Sequence, residues 1–86
     1  MPLFFFDVIN GTGLAEDDEG QNLPDLPAAR AVAIEGARSI IREDICLGFI
    51  DLSGRVEVRV ADRQLLLSIR FRDAVELRGF DRGGAQ

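Results

Sequence analysis

The sequence predicts an α+β domain: a β-hairpin, one long helix and a second β-hairpin, forming an antiparallel sheet of four or five strands with the helix on one face. Three observations carry that reading. Leu3-Phe4-Phe5-Phe6-Asp7-Val8-Ile9 is a strand-length apolar block that ends at Asn10-Gly11. From Leu26 to Cys46, apolar residues recur at helical spacing, and Leu26, Ala29, Ala33, Ala37, Ile40 and Ile41 share one arc. After Arg55 the period changes to two: Val56, Val58 and Val60 alternate with charged residues, and Leu65, Leu67, Ile69 and Phe71 form the inward row of a following strand.

Taken in order, the first strand sends Phe4, Phe6 and Val8 one way and Leu3, Phe5, Asp7 and Ile9 the other. A single helix covers only one face of a sheet. The second apolar set therefore predicts a partner, a second copy of the chain or another protein, meeting Leu3, Phe5, Ile9 and Leu66. Asn10-Gly11-Thr12-Gly13 turns the chain into a short polar return strand, Leu14-Ala15-Glu16-Asp17, and Glu19-Gly20 turns it again. Asp25 is the expected N-cap of the helix, and Pro27 falls in the first turn, where a missing N–H costs nothing. The helix ends at Cys46 or Leu47, followed by Gly48 as the left-handed C′ residue. Ala61-Asp62-Arg63-Gln64 turns between the last two strands, and Leu66, Ser68, Arg70 and Arg72 form the outward row. Val75-Glu76-Leu77 is expected to add a final strand. Residues 3–78 make one domain, and the tail 79–86 is expected to fray.

Eighty-six residues allow one core, and a domain this small gains from association. A chain that is 47% hydrophobic and 29% charged is a globular protein, not a disordered one. The single cysteine, Cys46, excludes an internal disulfide and fits a reducing cytoplasm. The first residues lack a basic segment and meet an acid at Asp7, so neither a signal peptide nor a membrane span is expected. All ten basic residues are arginine, and charge is uneven: −6 over residues 1–29, −1 over 30–54 and +2 over 55–86, giving −5. An acidic chain is poorly suited to non-specific nucleic-acid binding, which depends on neutralising phosphates.

Catalytic chemistry finds little to work with. There is no histidine, and Cys46 sits at the negative end of the helix dipole, where a thiolate is disfavoured. No catalytic residue, cofactor or metal site is expected. The acidic run Glu16-Asp17-Asp18-Glu19 fails the EF-hand pattern: with Gly20 at loop position 6, Ala15 falls at position 1 and Leu26 at position 12. It reads as a solvated turn. Gly11-Thr12-Gly13 opens no helix and carries no lysine, so it is not a phosphate loop. Arg30 lies on the apolar arc of the helix, where it either snorkels to water or pairs with Asp7 or the acidic run. The outward Arg55, Arg59, Arg70 and Arg72 fit protein contact or, as the second reading, nucleic-acid contact. The acidic net charge favours protein.

Several short blocks follow one another along the chain: Phe4-Phe5-Phe6-Asp7-Val8 with Asn10-Gly11, Asp18-Glu19-Gly20, and Leu23-Pro24-Asp25-Leu26. Ala28-Ala29-Arg30 with Ala33, Asp51-Leu52-Ser53-Gly54 and Phe71-Arg72-Asp73-Ala74-Val75-Glu76 complete the series. In this order they resemble a family of small bacterial proteins, a domain of unknown function, over residues 3–78. The resemblance implies a cytoplasmic bacterial protein and transfers no activity or site. Relatives often carry histidine after the aromatic run; Asp7 stands there in this chain, which weakens any metal or acid–base reading. The hairpin and Asp25-Leu26-Pro27 ahead of an alanine-rich helix are also similar to HicB-type antitoxins, which implies a nucleic-acid-linked regulator as the alternative function.

Overall fold

A computed structural model describes residues 2–11 and 13–79. The elements are β1 (Leu3–Asn10), β2 (Gly13–Ala15), β3 (Gln21–Asn22), α1 (Leu26–Cys46), β4 (Arg55–Arg59), β5 (Leu65–Arg70) and the short α2 (Phe71–Ala74). All strand pairs are antiparallel. The order is β2-β1-β4-β5, and β3 pairs with Leu3 and Phe4 further along the edge of β1 that β2 occupies. This is the α+β sheet with one main helix that the sequence predicts.

α1 is fixed at both ends by its sequence. The Asp25 carboxylate accepts from the Ala28 amide at 2.9 Å, satisfying a free donor of the first turn. At the other end the Gly48 amide donates to Ile45 O at 2.9 Å and the Phe49 amide to Asp44 O at 3.1 Å, the two bonds of a Schellman motif. That closure needs a left-handed residue, and Gly48 has φ +98°. Ala29, Ala33, Ala37 and Ile41 are the buried face. With methyl groups at three of these four positions, the helix backbone lies close to β4 and β5. Phe4, Val56, Val58 and Ile69 rise from the sheet to meet it, and Phe71 and Ala74 of α2 close the end of the core.

Three expectations are corrected. β2 stops at Ala15 rather than Asp17, because the next stretch of the edge is satisfied by a side chain: the Asp17 carboxylate accepts from the Phe6 amide at 3.0 Å. The alternation through Leu65 breaks at a register shift between Val58 and Arg59, so Leu65 lies opposite Arg59 on the outer face while Leu67 and Ile69 remain inward. The chain after β5 forms α2 instead of a strand at Val75-Glu76-Leu77. Phe71 turns into the core with its amide donating to Gly54 O at 2.9 Å, and Arg38 Nε donates to Ala74 O at 2.7 Å. Of the tail expected to fray, residues 80–86 lie outside the described residues.

Gly54 is the tightest point of this arrangement. A Cβ there would stand 2.7 Å from Phe71 Cε2 and 2.8 Å from Ile9 O, and the second of these is backbone that cannot rotate away. Gly54→Ala is expected to destabilise the fold by about 1–3 kcal/mol, the usual cost of overpacking, read as a lower midpoint in urea unfolding. A midpoint equal to wild type would show that the strand ends separate freely.

Candidate interaction face and arginine cleft

The face of the sheet turned away from α1 is set by strand register. One cross-strand row holds Phe5, Arg59 and Leu65; the next holds Asp7, Glu57 and Ser68; the third holds Leu14, Ile9, Arg55 and Arg70. Apolar side chains stand in both end rows beside arginines, and the two carboxylates occupy the centre.

Asp7 is 2% exposed, the one charged residue buried among those described. Its Oδ2 faces Arg59 Nε at 3.4 Å and is bonded by Arg63 Nη2, while its Oδ1 accepts from the Asp17 amide at 3.0 Å. Glu57 beside it takes Arg59 Nη2 at 2.7 Å and Arg55 Nε at 2.9 Å. Arg59 Nη1 in turn donates to Arg63 O at 2.8 Å, and Arg63 reaches Glu16 at 3.4 Å. Every buried side-chain polar atom among the described residues has a partner. The hydrogen bond from Arg55, then that from Arg59, holds the Glu57 carboxyl below its ordinary 4.5. For Asp17, partial burial acts upward. It is outweighed by the amides of Gly20, Phe6 and Glu19 and by Arg63, which together set the carboxyl below its ordinary 3.8.

Arg63 is the residue that the sequence reading passed over as part of a turn. Its φ is +69°, a left-handed conformation that favours Gly, Asn or Asp over arginine. The conformation costs about 1–2 kcal/mol, whereas a hydrogen bond to a charged partner contributes about 1.5–3 kcal/mol, so the contact to Asp7 decides the residue. Its guanidinium also stands 6.0 Å from the centre of the Phe5 ring. Nothing in Ala61-Asp62-Arg63-Gln64 marks which position is left-handed, so the sequence carries no signal for it.

The predicted site residues separate into groups. Leu3, Phe5 and Ile9 are half-buried, Phe5 beneath Arg63, while Leu66 is 37% exposed on the outermost strand. Arg30 is exposed on α1 and has no partner among the described residues. The expected Arg30–Asp7 pair does not form, because α1 packs on the inner face of the sheet while Asp7 points outward. Of the four outward arginines, Arg59 belongs to the Asp7 network. Arg55, Arg70 and Arg72 instead line one cleft of about 320 Å³ with Leu52, Ser53 and Gly54. The acidic run does not converge: the Asp17 carboxylate takes the Phe6, Glu19 and Gly20 amides. No group of three or more potential metal ligands occurs among the described residues.

One further surface was not anticipated. At and just past the C-terminal end of α1, Ile45, Leu47, Phe49 and Ile50 are each at least half exposed. No helix among the described residues is long and apolar enough to cross a membrane.

A family model described as Domain of unknown function (DUF6894) matches residues 3–72. No curated protein and no solved structure matches the chain.

Asp7→Asn keeps the shape and one acceptor but removes the charge that two arginines face. It is expected to cost about 2 kcal/mol at pH 7 in urea unfolding, less than a fully buried pair because both arginines reach water. Stability of the wild type should also fall in acid. Glu57 and Asp17 have folded pKa values below their unfolded ones, so their stabilisation is present above pH 4.5 and 3.8 and is lost as pH falls through the folded values. Glu57→Gln should flatten that decline; an unchanged slope between pH 5 and 3 would assign the acid sensitivity elsewhere.

Proposed function

We propose that this chain, which belongs to the family of domains of unknown function DUF6894, is a non-enzymatic interaction module that self-associates along the outer edge of its sheet. The observation that carries the reading is β5. It pairs only with β4 among the described residues, so its other edge is open. Six residues, Leu65–Arg70, run along that edge with Leu65 45% and Leu66 37% exposed. Along most of this strand the edge carries no proline and no charge before Arg70, although the register shift opposite Leu65–Leu67 twists its start. Two copies meeting edge to edge about a two-fold axis would continue the sheet and bring Leu65 and Leu66 of both copies together.

The adjoining outer face suits burial in a second way. Its central charges are already paired, so covering them leaves no uncompensated ion. The opposite edge is less available, since β2, β3 and the Asp17 carboxylate share it. The absence of histidine and the lone cysteine favour a binding role over catalysis, and a single unpaired cysteine is at home in a reducing cytoplasm.

Light scattering over a concentration series tests the reading on wild type, Leu66→Glu and Phe49→Glu, with circular dichroism to check folding. The expected result is a dimer for wild type and Phe49→Glu and a folded monomer for Leu66→Glu. A monomeric wild type at every concentration would refute self-association. Loss of the dimer only in Phe49→Glu would move the interface to the end of α1.

A further inference from the structure

The cleft at the end of the outer face carries an inference independent of self-association. Arg55 and Arg70 are cross-strand neighbours on β4 and β5, and Arg72 reaches the same cleft from α2. Three arginines thus line a space of about 320 Å³. Carboxylates bond two of them, Arg55 to Glu57 and Arg70 to Asp73, so the three arginines and two acids leave one positive charge in excess.

Two of the three are held from behind. Arg55 Nε is bonded to Glu57 at 2.9 Å, and Arg70 donates Nε and Nη2 to Asp73 at 2.9 and 3.4 Å. These bonds fix each planar group through one edge and leave other N–H donors unused, since a guanidinium carries five. Arg72 has no hydrogen-bond or ion-pair partner among the described residues. Leu52 adds an apolar wall, and Gly54 lets backbone form part of the lining.

We propose that this cleft binds a small phosphomonoester, its phosphate dianion held by Arg55, Arg70 and Arg72. A carboxylate has two oxygens and matches a single arginine fork. A phosphate dianion presents three oxygens over a tetrahedral face and can meet three forks at once. The volume exceeds that of one phosphate, and the remaining space beside Leu52 takes the organic part of the ligand.

Titration calorimetry at constant ionic strength tests the assignment with glycerol 3-phosphate, inorganic phosphate and sodium chloride as probes. Wild type is expected to bind glycerol 3-phosphate saturably and more tightly than inorganic phosphate, with no response to chloride. Arg72→Gln removes a side chain with no partner among the described residues. It should lower affinity by about tenfold, the scale of one charge-assisted contact, with an unchanged melting temperature. Arg30→Gln, which removes an arginine far from the cleft, should bind as wild type does. Equal binding by wild type and Arg72→Gln would overturn the proposal, as would a response to chloride matching that to phosphate. Inorganic phosphate binding as tightly as the ester would refute the organic subsite. Salt-sensitive retention of single-stranded RNA that needs Arg72, with neither phosphate probe bound, would replace the proposal with a nucleic-acid surface.

Discussion

A sheet with one helix has an uncovered face, and in this protein a buried carboxylate organises it. Asp7 sits mid-strand on β1 and is met by Arg59 of β4, by Arg63 of the turn before β5 and by the Asp17 amide of the edge segment. Removing a carboxylate from water costs several kcal/mol unless charge and hydrogen bonds replace the lost hydration. Here both oxygens are engaged and two cations share the site. The result is to tie together four segments that the helix does not touch from this side. The exposed pairs elsewhere, Arg38 and Arg42 with Glu35 at 3.9 and 4.0 Å or Arg78 with Glu76, are solvated on both partners and contribute little by comparison.

The same centre explains how β1 manages its outer edge. β2 covers one end and β3 the other, and neither reaches the Phe6 amide between them. Asp17 supplies what a strand would have supplied: its carboxylate accepts from Phe6 while its amide donates to the side chain of Asp7. Two neighbouring residues of β1 are thus bonded by one residue of the loop, a reciprocal clasp like that of a capping box at a helix start. Its remaining capacity closes the turn through Glu19 and Gly20, both at 3.1 Å. Asp17 of the acidic run therefore holds the sheet edge.

Much of the fold was legible because local rules and packing agree. Asp25, Pro27, the alanines at 29, 33 and 37, and Gly48 all point to one helix with fixed ends, and α1 runs from Leu26 to Cys46. Val56 and Val58 alternate as the pleat requires. What was not legible turns on side chains that replace backbone, or on single-residue register. A three-residue strand ended by the Asp17 carboxylate leaves no periodic trace. The shift at Val58 and Arg59 reverses the face of Leu65 without altering its apolar character. The partner of Asp7 was sought on the helix because Arg30 stands out in its apolar arc, yet the two lie on opposite sides of the sheet. Arg63 was hidden in a turn whose composition looks ordinary until its φ is known.

The arginines then sort by whether the fold uses them. Arg59 and Arg63 are consumed by Asp7, Glu57 and Glu16. Arg55 and Arg70 are half used, each oriented by one carboxylate and still offering donors to the cleft. Arg72 has no partner among the described residues. In a chain of net charge −5, acids bond Arg55 and Arg70 of this cleft, and none among the described residues bonds Arg72. The paired arginines answer to stability, and substituting them perturbs the sheet. Arg72, without a partner among the described residues, is the one whose substitution separates cleft from sheet, although the two share Arg55 and Arg70.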